Sequence, residues 1–106
     1  MSDQQFLQLL QRKRGFFEAL LDLSEEESQL PTQEWISVLE QKKILLSCIE
    51  EIDQELHDFR AAFQELSQEM HEELDHMRQL VKQILFLDTQ NQQARKHLYQ
   101  RTDEPS

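Results

Sequence analysis

Apolar residues recur at three- and four-residue spacing over almost the whole chain. Near the start, Phe6, Leu9, Leu10, Phe17, Leu20 and Leu21 mark one face of an amphipathic helix. From Trp35 the same alternation runs through Val38, Leu45, Ile49, Ile52, Leu56, Phe59, Phe63, Leu66 and Met70 to Met77, Leu80, Ile84, Leu87, Ala94 and Leu98. Only Lys42, Glu73 and Asn91 are polar on that seam. Pro31 disfavours helical geometry at Leu30 and Thr32 can cap a second helix, which sets one sharp boundary. Ser2 with Gln5 can form a capping box at the start. The pattern predicts one all-α domain over residues 1–106, with helices at about 3–29, 32–59 and 63–100 and a tail at 101–106.

The width of the apolar stripe bears on how the second pattern is arranged. Read as continuous, it describes one helix about 95 Å long at 1.5 Å per residue, able to dimerise as an extended coiled coil. Yet the position after each second seam residue is apolar at Leu39 and Leu46, polar at Asp53, Arg60 and Ser67, and apolar again at Leu74 and Val81. A wide stripe serves a helix with two neighbours, a narrow stripe a helix with one. The symmetry about residue 60 fits an antiparallel three-helix bundle, or a long helical hairpin with a third, N-terminal helix. In that arrangement the chain turns near Phe59 to Phe63 and the first helix packs across Leu39, Leu46, Leu74 and Val81, leaving a two-helix tip. Gly15 inside the first helix costs about 1 kcal/mol relative to Ala, which calls for a close neighbouring backbone or a bend. Lys42 and Asn91 could fix register or partner number from within the seam.

Composition narrows the function classes. One Gly and two Pro in 106 residues argue against sheets with tight turns. The net charge of −10 disfavours nucleic acid and anionic membrane as partners. Apolar runs do not exceed four residues, Ile84 to Leu87 being one, far short of the roughly 20 that span a bilayer, and Met1 to Gln5 has no basic start for a signal peptide. A cytoplasmic protein without a membrane span is the expectation. Charge is uneven along the chain: residues 21–75 carry sixteen acidic groups against three basic ones, while both ends are slightly basic. Folding back would bring Arg12, Lys13 and Arg14 near Glu50, Glu51, Glu72 and Glu73. Acidic surface beyond that pairing is left for solvent or a basic partner.

Candidate chemistry is sparse. Glu73 and His76 have Glu-x-x-His spacing, but a carboxylate-bridged metal site needs that motif twice with two further carboxylates, and His71 and His76 point apart. The lone Cys48, between Leu46 and Ile49, reads as a small buried side chain. One glycine excludes a glycine-rich phosphate loop, and a thin bundle offers little dry concave volume in which to shift the pKa of a catalytic acid. The expectation is a protein that is not an enzyme and takes neither cofactor nor metal.

What remains is apolar surface beyond the seam: Ile36, Ile44, Leu85 and Phe86, with Tyr99 just past the last seam residue. A guest amphipathic helix binds such a surface through anchors three and four apart. Three stretches carry a family resemblance. They are Phe17-Glu-Ala-Leu-Leu-Asp-Leu, Trp35-Ile-Ser-Val-Leu-Glu-Gln-Lys-Lys-Ile-Leu-Leu through Ile49-Glu-Glu-Ile52, and Leu80-Val-Lys-Gln-Ile-Leu-Phe-Leu-Asp-Thr-Gln-Asn91. Across residues 6 to 98 the chain resembles the FlgN/FliT family of small acidic chaperones of flagellar type III secretion. The resemblance implies a cytoplasmic chaperone that binds the terminal helical segment of an export substrate, such as a hook-associated or filament-cap protein, and delivers it to the export machinery. It places the partner surface on Val81, Leu85, Phe86, Leu98 and Tyr99. Two other readings keep the helices and change the partner: a structural or scaffolding coiled coil acting by homodimerisation, and an adaptor that binds a basic protein through the acidic middle.

Overall fold

The computed structural model of the chain describes residues 3–60 and 65–103, without the side chains of Thr32 and residues 97–103. It is a three-helix bundle: α1 spans Asp3–Glu27, α2 Trp35–Arg60 and α3 Gln68–Asp103. The predicted capping residue Ser2, the seam residue Phe63 and part of the predicted turn lie outside the described residues.

Local chemistry sets the helix ends. The first helix stops at Glu27, two residues before the predicted end, because the chain tightens there: Gln29 N–H donates to the Glu26 carbonyl at 3.0 Å and Leu30 N–H to that of Glu27 at 3.3 Å. Pro31 comes next, and its carbonyl accepts from Glu34 N–H at 3.0 Å, so a short 3-10 turn at Thr32–Glu34 precedes α2. The third helix starts at Gln68, not at 63, because Ser67 is its cap. The Ser67 hydroxyl accepts from Met70 N–H at 3.2 Å and its carbonyl from His71 N–H at 3.0 Å. The helix continues to Asp103, into the stretch expected to be a tail.

The chain folds back between Arg60 and Ser67, so α1 and α3 run parallel and α2 antiparallel to both. The molecule is a rod of 64 × 21 × 19 Å, which excludes the single 95 Å helix as the architecture of this chain. One apolar cluster lies toward the α2–α3 turn, where Phe6, Leu9 and Leu10 of α1 meet Ile52 and Leu56 of α2 and Met70 and Met77 of α3. Since Phe6 and Leu10 reach Leu56 and Met70, α1 covers the turn end and the expected two-helix tip does not exist. A smaller cluster of Leu20, Ile49 and Ile84 continues the core, and Phe16 and Phe17 pack against both clusters. Between them lie the ion pairs expected of the basic run: Arg14 Nη1 to Glu73 at 2.9 Å, and Lys13 to Asp53 at 2.5 Å rather than to Glu50 or Glu51.

Two sequence expectations fail on packing. A Cβ placed on Gly15 would meet nothing within 4 Å, so no neighbouring backbone requires a glycine there. Leu39 and Leu46, expected against the first helix, are 40% and 50% exposed, whereas Leu74 packs on the apolar cluster and Val81 is half-buried. Both findings reflect the position of α1. It packs closely along α2 on one side and α3 on the other, while α2 and α3 meet through side chains, in the apolar cluster and at the Lys42–Asp88 pair.

Candidate functional site

α1 packs closely along both other helices, and on the side of the molecule away from α1 a groove runs between α2 and α3, bridged by the Lys42–Asp88 pair. Leu39, Leu46 and Asp53 recur at seven-residue spacing on the α2 wall; Leu74, Val81 and Asp88 do so on the α3 wall. Toward the α2–α3 turn, Lys13 and Phe17 of α1 floor the groove beside Leu74, Met77, Arg78, Val81 and Lys82. The Lys13 ammonium lies 5.8 Å from the Phe17 ring centre, a cation–π contact that keeps an apolar stem and ring facing the opening. Toward the other end Leu39, Lys42, Lys43 and Leu46 face Asp88, Gln92 and Arg95.

A buried polar network underlies that second half and joins all three helices. Glu27, 1% exposed, accepts from Lys42 Nζ on Oε1 at 2.9 Å and from Arg95 Nη1 on Oε2 at 2.6 Å. Lys42 also donates to Asp88 Oδ1 at 2.7 Å, which accepts from the Ser24 hydroxyl at 2.8 Å. Asn91 Nδ2 donates to the Ser24 carbonyl at 3.1 Å. Trp35 Nε1 donates to the carbonyls of Glu27 at 3.0 Å, as a second donor beside Leu30 N–H, and of Leu30 at 3.1 Å. The Arg95 guanidinium stacks 5.3 Å from the Trp35 ring centre. Two cations meet two carboxylates, and no buried side-chain atom of the network is left without a partner. Such closure fixes how the helices meet. Lys42 and Asn91 thus sit inside the bundle, tied to side chains and backbone of the same chain.

The sequence-derived partner residues separate in space. Val81 and Leu85, four apart on α3, share its groove side; Leu85 is 60% exposed. Phe86, 64% exposed, is rotated by a further 100° or so and faces away from the groove. The side chains of Leu98 and Tyr99 lie outside the described residues. The wall and floor residues Leu39, Leu46, Leu74, Phe17 and Lys13 were absent from the sequence-derived set. Of these, Leu39, Leu46 and Leu74 carried a signal, the widened stripe.

Ile44 lies in a separate depression between α1 and α2 with Ala19, Leu23 and Leu45. Cys48 is a half-buried free thiol. Among the described residues no three His, Cys, Asp or Glu side chains are placed to hold a metal ion, and no helix is long and apolar enough to cross a membrane. No protein-family model, curated protein or solved structure matches the chain.

Proposed function

We propose that this protein is a non-enzymatic binding protein that captures an amphipathic helix of a protein partner in the groove between α2 and α3. The observation that carries the reading is the exposure of Leu39, Leu46 and Leu85 along the two helices that wall the groove. A helix laid there with its apolar face inward would complete a four-helix bundle and cover these side chains. Contiguous apolar surface flanked by polar residues marks interaction sites. Together with the resemblance to flagellar export chaperones, this favours a cytoplasmic chaperone that holds the terminal helix of an axial export substrate.

The test is binding of C-terminal helical segments of axial proteins from the same organism, monitored by fluorescence anisotropy. Leu46→Asp with Val81→Asp should weaken capture at least tenfold while far-UV circular dichroism stays unchanged, because Leu46 is half-exposed and Val81 lies at the edge of the core. Phe86→Asp should leave capture intact. The reverse pattern, loss with Phe86→Asp and none with the double variant, would move the site to the outer face of α3 and defeat the groove reading.

A further inference from the structure

The groove is not electrically uniform, and its asymmetry carries information about what enters it. In the half nearer the α2–α3 turn, the α3 wall presents Arg78 and Lys82 beside Val81. The α2 wall at the same level presents Asp53, with Glu50 one turn away on the same flank. The level is fixed by the packing of Ile49 against Ile84 in one cluster and by the Lys42–Asp88 pair. No ion pair between described residues crosses the opening here. Arg78 reaches only Asp75 on its own helix, an exposed pair at 70% and 69% side-chain exposure, and Asp53 is held by Lys13 from the floor. With those two charges paired, the α3 wall offers Lys82 and the α2 wall Glu50 at about the same level, neither in an ion pair among the described residues, so the walls differ in sign. Toward the other end the α2 wall turns basic at Lys43, seven residues before Glu50.

Resting on the groove reading, we propose that the occupant is an amphipathic helix with flanks of opposite charge, acidic toward α3 and basic toward the Glu50–Asp53 stretch of α2, and that this pattern fixes the direction in which it lies. Turning a helix end to end while keeping its apolar face inward exchanges its two flanks. A helix with opposed flanks thus matches the walls in one direction and sets like charge against like in the other. Lys43 strengthens the choice, because it makes the α2 wall differ from one end to the other. The groove recognises apolar spacing through Leu39, Leu46 and Val81 and direction through Arg78, Lys82 and Glu50.

The experiment uses the full chain and three synthetic helical peptides with one apolar stripe. The first carries Glu on one flank and Lys on the other, the second has these flanks exchanged, and the third carries Glu on both. An acceptor dye on the peptide N-terminus and a donor at Gln93→Cys, in a Cys48→Ser background, report direction by energy transfer. The first two peptides should bind with similar affinity and give opposite transfer, high for one and low for the other. The third should bind about tenfold more weakly, in line with losing a few exposed pairs. In Arg78→Glu/Lys82→Glu both walls are acidic, so the first two peptides should lose their opposite transfer, and a fourth peptide, with Lys on both flanks, should become the tighter ligand. That rescue separates the charge pattern from misfolding. Equal transfer from the first two peptides would overturn this inference and leave the groove standing. Absence of binding by all three would overturn the groove reading with it. A mass that doubles with concentration while the peptides are excluded would seat a second copy in the groove and overturn both.

Discussion

The two ends of the bundle are held together by opposite means. Toward the α2–α3 turn, Phe6, Leu9, Leu10, Ile52, Leu56, Met70 and Met77 interlock without a polar atom except methionine sulfur. Toward the α1–α2 connection, Ser24, Glu27, Lys42, Asp88, Asn91, Arg95 and Trp35 occupy the corresponding interior as a closed set of hydrogen bonds and ion pairs. The apolar end accepts any arrangement that fills its volume, because dispersion and hydrophobic burial carry little direction. The polar end accepts only the register in which each donor meets its acceptor. The difference teaches that burial supplies most of the cohesion at one end, while the other specifies which residues of α1, α2 and α3 stand level.

The largest expected effect comes from breaking the polar end at its centre. Glu27→Ala leaves Arg95, whose side chain is 19% exposed, without a carboxylate and leaves Lys42, 8% exposed, with Asp88 alone. Stranding buried charge of this kind costs about 3–5 kcal/mol. Chemical denaturation of the variant checks this, and a loss below about 1 kcal/mol would mean that water already solvates the network. Glu26→Ala, one residue away and exposed, serves as the comparison and should stay within about 0.5 kcal/mol of the parent.

At the apolar end, Leu10→Ala should cost about 2–5 kcal/mol, because Leu10 is 2% exposed and its removal opens a cavity among Phe6, Leu56 and Met70. Leu10→Met should cost under about 1.5 kcal/mol, since the volume is nearly kept. Glu27→Gln preserves shape in the same way but leaves the two cations short of a counter-charge. A Gln variant as mild as Leu10→Met would erase the distinction between the ends. Trp35→Phe comes next. It removes the indole N–H that serves the Glu27 and Leu30 carbonyls, and about 1–2 kcal/mol is the expected loss by thermal unfolding.

The two ends also differed in how far they could be read beforehand. Helix number, the fold-back near residue 60 and the apolar seam are all legible in the spacing, because a buried helix face repeats with the helix itself. Lys42 and Asn91 stood out as polar residues in that seam. Glu27 did not, because it is one of three consecutive glutamates, Glu25 to Glu27, and nothing local distinguishes the one that turns inward. Asp88 and Arg95 lay beside seam positions in a stretch of mixed polarity. Their roles depend on partners more than 40 residues away, as the Lys42–Asp88 and Arg95–Glu27 bonds make plain. The groove was half legible. The widened stripe at Leu39, Leu46, Leu74 and Val81 records that each helix has two contact sides. Stripe width does not record whether the second neighbour belongs to the same chain. Leu74 does pack on the cluster that α1 shares, whereas Leu39 and Leu46 on α2 stay exposed.

Gly15 offers the mildest test, and it bears on whether the two ends act as one unit. It lies in the middle of α1, beside the Arg14–Glu73 and Lys13–Asp53 pairs that separate the apolar end from the polar one. Since a Cβ there meets nothing, Gly15→Ala removes backbone freedom from the unfolded chain and adds no clash in the folded one. The expected gain is about 0.5–1 kcal/mol, read as a rise of a few degrees in Tm. Hydrogen exchange on the same variant shows where the gain is felt. If the ends unfold together, amides around Leu10 and around Leu20 should gain protection equally, because both report the same global opening. If only one half of α1 gains, the waist at Arg14 is a boundary between two units that open separately.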